Sequence, residues 1–170
     1  MSQILAKLSG GDLRSEGRAA EVAGEITNHP QLLTDLTEGL LHTEKLIRAR
    51  TCMTMEIISR DHPDLLAAVV PQLIELASTE TVPQARWHLA ETLGNVALSD
   101  EDAERIIPVL LGYLVDKSKI VKYCAVQTLG ILARKSPLRG TVVNSISALR
   151  DESKSLAKAV TKALQNLGVE

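Results

Sequence analysis

Four histidines and two cysteines are the residues of this 170-residue chain best suited to ligate a metal or attack a substrate. His29 and His62 stand in matching triplets, Asn28-His29-Pro30 and Asp61-His62-Pro63, so they fall in equivalent turns about one structural unit apart. That separation is too large for a shared ligand shell with bonds of ~2 Å. His42 and His88 complete the set, and the sequence contains no HExxH, CxxC, GxSxG or P-loop glycine pattern. Cys52 and Cys124 both fall on apolar helical patterns, which points to buried free thiols in a reducing compartment. The expectation is therefore a protein that is not an enzyme, with no catalytic residues, no metal and no cofactor.

The side chains left with recognition chemistry are aromatics and cations. Arg86-Trp87 and Lys122-Tyr123 each set an aromatic directly after a cation, 36 residues apart. An aromatic with a polar tip beside a cation is a common anchor for a protein partner. Two placements stay open for these rings: between neighbouring helices as core, or on a binding face. Arg48, Arg50, Arg86, Lys122, Lys158 and Lys162 form a basic row at related positions. Such a row either neutralises phosphates or pairs with acids in adjacent turns.

The elements that position these residues are repeats. Ala85-Arg86-Trp87-His88-Leu89-Ala90-Glu91-Thr92-Leu93-Gly94 aligns without a gap on Val121-Lys122-Tyr123-Cys124-Ala125-Val126-Gln127-Thr128-Leu129-Gly130. Weaker copies begin at Ile47 and Leu156, and a degenerate one runs through Arg18–Ile26. Apolar residues recur at i, i+4 and i+8, as in Val121, Ala125 and Leu129, which puts a stripe on one face of a helix. A second helical run precedes each copy: Pro71-Gln72-Leu73-Ile74-Glu75-Leu76 resembles Pro108-Val109-Leu110-Leu111-Gly112-Tyr113. Proline inside such a run predicts a kink. With no Phe and only 2% aromatic residues, the core must come from Ala, Leu, Val and Ile, which suits close helix–helix packing.

Turn chemistry divides the pattern. Thr81-Val82-Pro83-Gln84 reads as an N-cap Thr, a first-turn Pro and a capping-box Gln, and Ser99 precedes three acids that suit a helix N-terminus. Gly168 reads as the residue closing the last helix. The resulting map is ten helices, at 2–8, 12–27, 30–41, 44–60, 63–78, 83–98, 100–115, 119–135, 137–149 and 152–167. They form one domain over 1–170, with repeats at 2–27, 30–60, 63–98, 100–135 and 137–167. The fold class is all-α, an α-alpha solenoid of about five helix pairs, since one pair cannot bury its own stripe.

The pattern resembles the HEAT repeat family. The residues that carry the likeness are the Pro of the first helix, Asp116 in the turn, the Ala85-Arg86 and Val121-Lys122 pairs, and the endings Leu89 to Gly94 and Ala125 to Gly130. The period is shorter than the ~40–47 residues usual for that class. It is closer to the compact units of phycobiliprotein-lyase-type HEAT proteins. Tetratricopeptide repeats have a nearby period of ~34 residues, but Trp87 lacks their Leu-Gly spacing. The resemblance implies a right-handed solenoid whose second helices line a concave, partner-binding surface. On that surface it would place Arg48, Arg86, Trp87, Glu91, Lys122, Tyr123, Gln127, Lys158 and Lys162. Deoxyhypusine hydroxylase, a HEAT-type enzyme, uses His-Glu pairs, and no such dipeptide occurs here. DNA-alkylation-repair glycosylases place aromatics, a carboxylate and basic residues on the concave face; Trp87, Tyr123, Glu91 and Arg86 resemble that set faintly.

The function expected from these observations is a protein–protein scaffold. The alternative is a module for nucleic acid or another polyanion on the same face. A net charge of −2 offers no global field toward nucleic acid or membrane. The longest apolar run, Leu65–Pro71, is far too short to span a bilayer, and Met1–Lys7 lacks the pattern of a signal peptide. A cytoplasmic protein with a protein partner is the reading these features favour.

Overall fold

The apolar stripes of the sequence become helix faces in the computed structural model, which describes residues 2–169. In chain order the helices are α1 (Gln3–Leu8), α2 (Ala19–Asn28), α3 (Leu33–Glu38), α4 (Lys45–Asp61), α5 (Val70–Thr79), α6 (Pro83–Asn95), α7 (Asp100–Tyr113), α8 (Lys119–Leu132), α9 (Arg139–Ser147) and α10 (Lys154–Leu167). No strand occurs among the described residues, and no helix there is long and apolar enough to cross a membrane. The chain gathers into two compact units, Met1–Ala97 and Leu98–Glu170. The division falls at the junction of the third and fourth sequence repeats.

In the first unit α4 packs against α2 on one side and α6 on the other, so the second helices of successive repeats lie side by side. Ile26, Ile47, Met55, Ile58, Leu73, Leu89 and Leu93 are fully buried or nearly so between them and the first helices. In the second unit α8 packs on α10 and on α7, burying Ile106, Leu110, Val121, Ala125, Leu129, Leu156 and Val160.

Several predicted boundaries shift, each for a physical reason. The expected helix 12–27 starts only at Ala19. Gly10, Gly11 and Gly17 adopt φ of 77°, 80° and 56°, a region open to Gly and closed to helix, so residues 9–18 form a loop. The expected helix 30–41 is α3 flanked by tight 3-10 turns, Pro30–Leu32 and Gly39–Leu41. The expected helix 63–78 is 3-10 over Pro63–Val69 before α5 begins. Pro71 sits in the first turn of α5, where its missing N–H is harmless; the sequence kink is here a change of helix type. Pro108 does lie inside α7. Thr81 is not the cap of α6: Val82 holds that position, and the Thr81 and Val82 amides donate to Glu80 Oε1 at 2.8 and 2.9 Å. Ser99 caps α7 as expected, accepting from the Asp102 amide at 3.0 Å. The left-handed Gly168 closes α10, and the Val169 amide reaches the Leu164 carbonyl.

A close helix crossing is set by the glycine that ends the Ala-x-x-x-Leu-Gly pattern. A Cβ on Gly130 would stand 2.6 Å from Ala163 Cβ and 2.7 Å from Ala163 Cα, so α8 and α10 can approach only because position 130 has no side chain. Gly→Ala inside a helix ordinarily stabilises by ~1 kcal/mol. Here the sign reverses: Gly130→Ala is expected to cost about 1–3 kcal/mol through forced separation of the two helices, read from the midpoint of urea unfolding.

Candidate binding groove

Helical spacing on α4 and α6 builds one shared surface in the first unit. Ala49, Met53, Glu56 and Arg60 follow i, i+4, i+7 and i+11 along α4; Gln84, Trp87, His88 and Glu91 follow i, i+3, i+4 and i+7 along α6. Between the two helices lies a groove of about 460 Å³ lined by Leu46, Met53, Gln84, Trp87 and His88, with Leu13 and Arg14 of the loop at one end.

The loop end of the groove is held by one side chain. Arg50 is buried, and its guanidinium donates to the carbonyls of Leu8 (2.9 Å), Ser9 (3.3 Å), Gly10 (2.6 Å), Asp12 (3.2 Å) and Ser15 (3.2 Å). Two of these carbonyls, Asp12 and Ser15, are ones a longer α2 would have used internally. The five-donor fork of arginine suits such a cluster, which a lysine ammonium cannot match.

Arg60 and His88 of the groove lining belong to a polar cluster with Glu56 of α4. Arg60 makes a two-pronged bridge to the buried Glu56, at 2.7 Å on each arm. His88 is also buried; its ring tilts 59° against Trp87 with centroids 5.3 Å apart, and its Nδ1 lies 3.8 Å from Glu56 Oε2. Burial first, and then the Arg60 charge, push the His88 imidazole down to about 4. His88 is thus neutral at neutral pH. Burial pushes the Cys52 thiol far up, so it is protonated and unreactive. Cys52 and Cys124 are both buried, and neither is in a disulfide.

The residues expected to face a partner take varied positions. Trp87 is half-buried along the groove, between the core and the free-standing placements. Arg48 clasps Glu80 at 2.8 Å and donates to the His42 and Thr43 carbonyls. Arg86 donates to the Glu80 carbonyl at 2.7 Å. Glu91 is half-buried on α6. In the second unit Lys122 pairs with Glu152 at 2.7 Å, and Gln127 donates to the Tyr123 hydroxyl at 3.3 Å. Lys158 and Lys162 are exposed on α10. The Arg48 and Lys122 links are equivalent: each joins the second helix of one repeat to an acid in the turn of the next.

Two members of this cluster, Glu56 and His88, are not among the surface residues expected from the sequence. The usable signal was His88-x-x-Glu91, which sets an imidazole and a carboxylate on one helical face. Glu56 is 32 positions from His88 and carries no local signal.

No protein-family model and no curated protein matches this chain. Solved structures do. The crystal structure of an engineered protein from a structural genomics consortium is similar at a TM-score of 0.72 and 18% identity, covering 97% of this chain and 78% of that one. A designed armadillo repeat protein is similar at a TM-score of 0.68 and 16% identity, covering 96% and 80%. At such identity the likeness speaks to the fold alone, and that fold is an all-α solenoid of armadillo-like helical repeats.

Proposed function

We propose that this protein is a binding scaffold of HEAT type that holds a protein partner in the α4/α6 groove and performs no catalysis. The observation that carries the reading is the groove itself: an open channel with Trp87, Met53 and Leu46 on its walls and the polar Arg60 and His88 in its lining. Apolar anchors within a polar surround are the usual anatomy of a protein-binding hot spot. Internal engagement of the cations also favours a protein over a polyanion. Arg48, Arg50, Arg86 and Lys122 all bond to acids or carbonyls of this chain, which leaves Lys158 and Lys162 of the expected basic row to neutralise phosphates. The turn of Asp116, whose carboxylate accepts from the Ser118 amide at 2.7 Å, and Pro108 inside α7 support the HEAT assignment.

The test is affinity capture from a lysate of the source organism, with wild type, Trp87→Ala and Met53→Ala as baits, each with and without nuclease. A specific protein retained by wild type irrespective of nuclease is expected, with binding weakened by ~2 kcal/mol or more, roughly 30-fold, in Trp87→Ala. Retained material that is chiefly nucleic acid and vanishes with nuclease would overturn the reading. So would capture indifferent to both substitutions.

A further inference from the structure

Where α4 meets α6, His88 on the groove wall joins a combination that protein binding does not require. Glu56 of α4 and His88 and Glu91 of α6 each offer one ligand atom, and these atoms all lie within 4.8 Å of one another. Paired carboxylates on helices are commonplace, but His88 adds an independent observation. Its Nδ1 is buried from solvent and has no hydrogen-bond partner. The 3.8 Å from that atom to Glu56 Oε2 is too long for a hydrogen bond. It is close to the ~3.4 Å that separates two ligand atoms on one ion with bonds of ~2.1 Å. A coordinate bond would remove the penalty of an orphaned polar atom.

We propose that Glu56, His88 and Glu91 form a site for one divalent first-row transition-metal ion of the zinc type. Two carboxylates balance the charge of a dication, and the mixed oxygen–nitrogen donor set suits zinc. Magnesium and calcium favour oxygen donors throughout. Three protein ligands leave one position for water. Arg60 is the resident competitor: its guanidinium holds Glu56 in the absence of metal, and its side chain is 60% exposed, so it can swing into solvent when an ion arrives. The site stands whether or not the groove binds a protein.

The test is calorimetric titration of the chelator-treated whole protein with zinc chloride, paired with the visible spectrum of the cobalt(II) form. One ion per chain is expected. His88→Gln and Glu91→Gln should each weaken binding by ~100-fold or more, since even residues that only support ligands cost 10–100-fold, and His88→Gln should alter the cobalt spectrum. Arg60→Gln should bind zinc more tightly than wild type. Circular dichroism verifies that each variant is folded; Glu91 and Arg60 are not core positions, so their variants keep the test decisive if His88→Gln unfolds. Absence of saturable binding would overturn the site. Equal affinity in wild type and Glu91→Gln would do the same, placing the ion on surface histidines. Weaker binding in Arg60→Gln would contradict the competition.

Discussion

Arg50→Ala is expected to destabilise the protein by about 3–5 kcal/mol, the largest effect of any single substitution considered. The guanidinium is 3% exposed and stands among five carbonyls rather than against a carboxylate. Truncation leaves those acceptors without their donor, and a buried acceptor without a partner, such as the Leu8 carbonyl, costs ~1–3 kcal/mol before the chain relaxes. Relaxation would release residues 9–17, so the same variant should be cut rapidly by protease within this loop while wild type resists. Arg50→Lys should recover less than half of the loss, because three donors on a single point cannot span the cluster. Equal midpoints of chemical unfolding for wild type and Arg50→Ala would refute this account.

Glu80→Ala is expected to cost about 2–4 kcal/mol. The carboxylate is nearly inaccessible and serves two purposes, pairing with Arg48 and accepting the Thr81 and Val82 amides at the start of α6. Its loss strands a half-buried cation and uncaps a helix together. The same carboxylate gives a dependence on pH. Burial pushes the Glu80 carboxyl up, but the Arg48 bond and the Val82 and Thr81 amides outweigh it and hold the group below its ordinary 4.5. In the unfolded chain the group takes up its proton first as pH falls. Its contribution is therefore complete above 4.5 and is lost progressively as pH drops through the lower folded value. The gap in stability between wild type and Glu80→Gln should be constant from pH 7 to about 5 and shrink below 4.5. A gap that stays constant through acid pH would show that the negative charge is not what position 80 contributes.

The helical repeat was legible because it rests on local physics: the i, i+4, i+8 stripe of Val121, Ala125 and Leu129 needs only helical geometry to be read. Ser99 and Gly168 were legible for the same reason, since caps act within one turn. The misreadings arose where a distant side chain decides local structure. Residues 12–18 look helical until Arg50 is seen drawing their carbonyls away. Thr81 looks like a cap until Glu80 takes the amides. The site divides in the same manner. Trp87 and Glu91 were visible as one face of repeating helices. Glu56 was not, because its relation to His88 exists only once α4 lies against α6.

The links between repeats bear on how the chain is made. Arg48 precedes Glu80 by 32 residues, and Lys122 precedes Glu152 by 30. On a ribosome, which releases the chain from its N-terminus, each cation therefore emerges a full repeat ahead of the acid that will hold it. A nascent repeat can form its helices on release, but its last polar bond waits for the following turn. Assembly thus trails synthesis by one repeat, and a pause in translation just after α4 would leave Arg48 open to solvent until the Glu80 turn appears.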